Sequence, residues 1–82
     1  MSVRRILLIN QPEIGKLIRE LRLENQLTQE EFAAELGTTY SSVNRWENGR
    51  SKPSRLAITR LEDLLQKMGS RGQELLAKHL AN

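Results

Sequence analysis

"QEEFAAELGTTYSSVNRWEN", residues 29 to 48, decides how this chain is read. Apolar residues fall at Phe32, Leu36, Val43 and Trp46, and Gly37 stands between the two pairs. That spacing predicts two short helices joined by a tight turn, each packed on the other and on a helix upstream. Ala33 sits where the two helices would cross, and a small residue there permits close approach. The rest of the run from Gly37 to Gly49 is polar, so it should face something wet, charged or hydrogen-bonding.

Local signals set the limits of these helices. Thr28 and Glu31 have the spacing of a capping box, and Leu27 with Phe32 can close a hydrophobic staple around it. Gly37 suits the left-handed residue that ends the first helix. Thr39 caps the second, which should run from about Tyr40 to Glu47 and close at Asn48-Gly49. Upstream, Pro12 suits a first helical position, where its missing N–H costs nothing. Ile14, Leu17, Ile18 and Leu21 then make one apolar stripe that should fade near Asn25. Downstream, Pro53-Ser54 opens a helix with Ala57, Leu61, Leu64, Leu65 and Met68 inward, and Gly69 breaks it. Ser70 and Gln73 could form another capping box, ahead of a last stripe at Leu75, Leu76 and Leu80.

No convincing strand pair appears. The expected fold is all-α, a compact four- to five-helix domain containing a helix-turn-helix. The expected divisions are an N-terminal extension over residues 1–11, the helix-turn-helix domain over 12–69 and a C-terminal helix or tail over 70–82. The segment "SVRRILLIN" leaves three readings open: it packs on the helices, pairs as a strand with a second copy, or forms a free arm.

Eighty-two residues make one domain. With no cysteine there is no disulfide framework and no thiolate metal site. No apolar stretch approaches the roughly 18 residues of a membrane span. "ILLI" at 6–9 is shorter than a signal-peptide core of about 7–15 residues, so a cytoplasmic protein is expected. The net charge of +3 is unevenly placed. Residues 1–22 carry +3, residues 23–38 carry −4, residues 39–60 carry +4, and the remainder balances. Such blocks point to an oriented molecule with one anion-seeking face.

The functional reading rests on the helix that begins at Tyr40. Val43 and Trp46 mark its inward side. Tyr40, Ser41, Asn44 and Arg45 lie at i, i+1, i+4 and i+5, so they share the opposite face. That face offers hydroxyl, amide and guanidinium groups and no carboxylate. A DNA major groove about 12 Å wide admits a helix, and such groups read base edges there. Arg45 can donate twice to guanine, Asn44 can pair with adenine, and Tyr40 and Ser41 can donate or accept.

The run "LTQEEFAAELGTTYSSVNRWENGRSKPS", residues 27 to 54, resembles the Cro/repressor-type helix-turn-helix family of phage and bacterial regulators. Leu27-Thr28-Gln29, the turn glycine, Arg45-Trp46-Glu47 and Asn48-Gly49 carry the likeness, which spans roughly residues 13 to 69. It departs from the pattern at Thr38, where the family usually has an apolar residue, and at both ends. The resemblance implies sequence-specific binding of double-stranded DNA as a homodimer, with the second helix of the motif in the major groove. It implies phosphate contacts from Gln29, Thr39, Asn48, Arg50, Lys52 and Arg55. For Gln29 the physics agrees, since free N–H groups at a helix start attract anions. It also implies a structural ion pair between Arg22 and Glu47.

The remaining candidates have plainer readings. His79 has no ligand-spaced neighbour and reads as a surface residue. Glu62-Asp63 reads as an exposed helix face rather than a cation site. No nucleophile-base pair, phosphate loop or metal motif appears, so neither enzymatic activity nor a cofactor is expected. Regulation by repression is the leading reading. Its alternatives are an antitoxin-like autoregulator with a partner protein and an interaction adaptor that does not bind DNA. The two ends, Ile6 to Ile9 or Leu75, Leu76 and Leu80, are the candidate dimer surfaces.

Overall fold

The helix ends follow from backbone groups that need partners. At residue 28 the Thr28 hydroxyl accepts from the Glu31 N–H at 3.1 Å, and the Glu31 carboxylate accepts from the Thr28 N–H at 2.9 Å. At the other end of that helix, Thr38 N–H donates to Ala33 O at 2.9 Å and Gly37 N–H to Ala34 O at 3.2 Å. This Schellman arrangement needs a left-handed residue, and Gly37 has φ +67°. The same two bonds close the next helix, from Arg50 N–H to Arg45 O and from Gly49 N–H to Trp46 O.

The computed structural model describes the backbone of residues 3–80 and the side chains of residues 5–80. Among them are six helices and no strand: α1 Val3–Leu7, α2 Glu13–Glu24, α3 Gln29–Leu36, α4 Tyr40–Glu47, α5 Arg55–Lys67 and α6 Ser70–Leu80. One core takes residues from every helix. Ile14, Leu17, Ile18 and Leu21 of α2 meet Phe32, Ala33 and Leu36 of α3, Val43 and Trp46 of α4, and Ala57, Ile58, Leu61 and Leu65 of α5. Each fully buried aliphatic side chain contributes about 1.5–3 kcal/mol, so α2, which brings four of them, is the platform on which α4 and α6 are held, and α3 packs in turn on α4 and α5. No helix is long and apolar enough to cross a membrane, among the described residues.

Several expectations change here. Residues 3–7 are a helix, packed on α5 and α6, and both Ile6 and Ile9 are buried. The strand and free-arm readings of this segment therefore fail, because its backbone is helical over residues 3–7 and Ile6 and Ile9 find cover within the chain's own core. Leu75 and Leu76 are buried in the same core, which removes them as a dimer surface. Pro12 precedes α2 instead of opening it. Ser70 is the first residue of α6, not its cap, and the Gly69 carbonyl accepts from Gln73 N–H.

His79 is not a surface residue: it is 3% exposed. It continues the Leu75–Leu76 side of α6, and its polar ring is satisfied by α2. Nδ1 lies 2.5 Å from Glu13 Oε2, and Nε2 lies 2.9 Å from Glu20 Oε1. Glu62 is buried too, with Oε2 lacking a hydrogen-bond partner among the described residues, while Asp63 stays exposed. α5 is packed against α1, α3 and α6, so more of its circumference is covered than one apolar stripe predicts.

Candidate nucleic-acid interface

α4 is held from behind at three points by α2 and the residues just before it. Gly15 is the first. A Cβ there would lie 2.3 Å from Trp46 O, so only glycine lets the two backbones approach so closely. Gln11 is the second. Its Nε2 donates to Trp46 O at 2.9 Å and to Ser51 O at 2.7 Å, while its Oε1 accepts from Gly15 N–H at 3.0 Å. One amide thus ties the start of α2 to the end of α4 and to the loop beyond. Nothing in the sequence marked Gln11, because its partners are 35 and 40 positions away.

The third point is an ion pair. Arg22 Nε donates to Glu47 Oε2 at 2.7 Å and Nη2 to Oε1 at 3.1 Å, in a two-pronged geometry. Arg22 Nη1 also donates to Leu27 O at 3.0 Å. The two side chains are 12% and 2% exposed, so water competes weakly for them. The hydrogen bonds from Arg22 to Glu47 raise the guanidinium above its ordinary pKa, against the opposing effect of burial. Glu47 thereby faces inward and adds no negative charge to the outer face of α4.

On that outer face Tyr40, Ser41 and Arg45 are exposed, and Asn44 is half-buried. Arg45 Nη2 approaches Ser42 Oγ only to 3.5 Å, which leaves the guanidinium nearly free. Thr39 accepts from Ser42 N–H at 3.2 Å and donates to Ser42 Oγ at 3.1 Å. Asn44 is more engaged. Its Nδ2 donates to Gln29 Oε1 at 3.2 Å, and its Oδ1 accepts from Asn48 Nδ2 at 3.1 Å. Gln29 Nε2 in turn donates to Glu47 Oε1 at 3.1 Å.

The residues expected at the site therefore fall into two sets. Gln29, Asn44 and Asn48 join Arg22 and Glu47 in one hydrogen-bonded chain. Tyr40, Ser41, Arg45, Arg50 and Arg55 stand outside it on exposed positions. Lys52 is exposed and donates to Asn10 Oδ1 at 3.1 Å, a neutral partner that leaves its charge uncompensated. Arg60 is an addition. It is exposed, and its Cζ lies 3.5 Å from where a Cβ on Gly37 would be, so it covers the turn that leads into α4. The positive block over 39–60 was the one sequence signal that included it.

None of Arg45, Arg50, Lys52, Arg55 and Arg60 lies within 4.0 Å of a carboxylate among the described residues. Such a surface attracts a polyanion. Among the same residues no group of three His, Cys, Asp or Glu side chains is placed to hold a metal ion.

Comparison with known proteins agrees with this geometry. A family model described as helix-turn-helix matches residues 18–67, which is more than half of the chain. The match runs from within α2 to the end of α5 and encloses both helices of the motif. No curated protein and no solved structure matches the chain.

Proposed function

The chain belongs to the Cro/repressor-type helix-turn-helix family of DNA-binding transcriptional regulators, and from that premise we propose that it binds duplex DNA sequence-specifically and represses transcription by occluding a promoter. α4 enters the major groove. Tyr40, Ser41, Asn44 and Arg45 meet base edges, with Arg45 on guanine. Gln29, Thr39, Asn48, Arg50, Lys52 and Arg55 hold the phosphates on either side, which fixes register without reading sequence.

The observation that carries this reading is the sign of the α4 side of the molecule. The one carboxylate in the sequence between Tyr40 and Arg60, Glu47, is turned inward onto Arg22, while five cations on α4, α5 and the loop between them have no acidic partner among the described residues. A regulator's ordinary solvated surface would mix the two signs.

The protein acts as a homodimer, because one short helix reads too few base pairs to be selective, and two copies meet half-sites about one helical turn apart. Leu7 at the end of α1, Leu8 after it and Leu56 on α5 support that end as the interface. Leu8 and Leu56 are 68% and 59% exposed, and α1 packs on α5. Selection of bound sequences from a random duplex pool tests the whole proposal. A two-fold symmetric motif is expected, and a bound pool no different from the input would sink it.

A further inference from the structure

The hydrogen bonds that link α3 to α4 have a direction. A carboxylate facing a guanidinium accepts and does not donate, and Glu47 faces Arg22 with both oxygens. The only end of the Gln29 amide that can meet Glu47 Oε1 is therefore its NH2, at 3.1 Å. That leaves Gln29 Oε1 turned toward α4. An amide oxygen also accepts only, so Asn44 must present its NH2 to it, at 3.2 Å. Asn44 Oδ1 is then turned along the helix, where Asn48 Nδ2 donates to it at 3.1 Å. Reversing any one amide would set oxygen against oxygen or NH2 against NH2.

We propose that Gln29 and Glu47 are positioning residues that fix which way the Asn44 amide faces, and so decide the order in which its donor and acceptor meet a base pair. The inference rests on the DNA-binding reading above and extends it. The chain leaves Asn44 with one N–H and one oxygen lone pair unused. Side by side, these match N7 and N6 of adenine. An asparagine free to turn over offers the pair in either order, whereas this one offers a single order. The direction is set at the ion pair, where Glu47 is 2% exposed and water cannot easily replace it.

The test compares the unmodified chain with Asn44→Ala, Gln29→Met and Glu47→Gln on duplexes recovered by selection. Asn44→Ala first identifies the base pair at which preference is lost. The unmodified chain should discriminate there by roughly 10- to 100-fold, as a bidentate amide contact does. Gln29→Met keeps the shape of the side chain and removes both of its bonds. It should abolish most of that discrimination and leave discrimination at the base pair read by Arg45 intact, whatever it does to affinity overall. Glu47→Gln should do the same where it folds, and Gln29→Met decides the matter where it does not.

Three results would overturn the inference: no position sensitive to Asn44→Ala, full discrimination retained by Gln29→Met, or equal loss at every position. The last would mean that α4 had merely loosened. If the unmodified chain selects no duplex, the DNA-binding reading falls as well, and that outcome is distinct from the other three.

Discussion

Two regions of this small domain treat their charges in opposite ways. Between α2 and α6, cations and carboxylates are matched. Arg71 lies 2.6 Å from Glu24, Lys78 lies 2.9 Å from Glu20, and His79 is held between Glu13 and Glu20. On α4 and the loop that follows it, the cations have no acidic partner among the described residues. The chain's net charge of +3 is therefore not an average property of its surface. A matched region uses its charges to fasten one helix to another and has little left for an external anion. An unmatched region keeps its field for one. The comparison predicts that mutations in the two regions will act on different quantities, stability in the first and affinity in the second.

The largest effect is expected at the boundary between them. Replacing Glu47 by Gln or Arg22 by Met strands one buried charged partner, which costs about 3–5 kcal/mol. In a domain of this size each 1 kcal/mol lowers the melting temperature by roughly 4–8 °C. Thermal melts of both single mutants and the double mutant should show the double losing less than the sum. Additive losses would mean that the two residues act independently.

Next comes the matched region itself. His79→Leu leaves Glu13 and Glu20 without the ring that separates them, and should cost about 1–3 kcal/mol of stability. DNA affinity, measured well below the melting temperature, should be unchanged. A comparable fall in affinity would break the division between the regions.

The unmatched region should show the reverse pattern. Arg45→Ala is expected to lose about 1–3 kcal/mol of binding on the preferred duplex, and much less on one already altered at that base. Arg50→Ala should weaken binding to all sequences alike. If Arg50, Lys52 and Arg55 each neutralise one phosphate per protomer, log K against log salt should have a slope near −5, at about −0.9 per contact. Arg50→Ala should flatten it. Melting temperatures of both mutants should stay close to that of the unmodified chain.

The smallest effect concerns pH. The Glu20 carboxyl lies below its ordinary value near 4.5, chiefly because Lys78 donates to it, with His79 adding to this and burial opposing it. A carboxyl depressed in the folded state contributes stability that is present above its unfolded pKa. That contribution disappears as pH falls through the folded value. Lys78→Met should therefore lower the melting temperature slightly at neutral pH and make its decline below about pH 4.5 shallower. Parallel acid limbs in the two proteins would place the coupling elsewhere.

The α4 side was largely legible in the sequence, and the α6 side was not. Thr28 and Glu31 lie three residues apart, as do Thr39 and Ser42, and helix caps are decided at that range. The stripe of Ile14, Leu17, Ile18 and Leu21 repeats at helical spacing, so its inward face follows from the period. The outward set of Tyr40, Ser41, Asn44 and Arg45 follows from the same period once Val43 and Trp46 are placed inside. His79 defeated this kind of reading because its partners stand 59 and 66 positions away, outside any local window.

What the sequence determined alone was therefore the set of helices from Glu13 onward, the caps of α3 and α4, the turn at Gly37 and the sign of the residues around α4. All of these depend on neighbours within one or two turns. The tertiary structure decided the rest. It folded residues 3–7 into a helix under cover of α5 and α6, and it buried His79 and Glu62. It brought Gln11 to the back of α4, and it joined Gln29, Asn44 and Asn48 to a buried ion pair. Hydrogen bonds require atoms within about 3.5 Å, and between distant segments that separation exists only once the chain has packed.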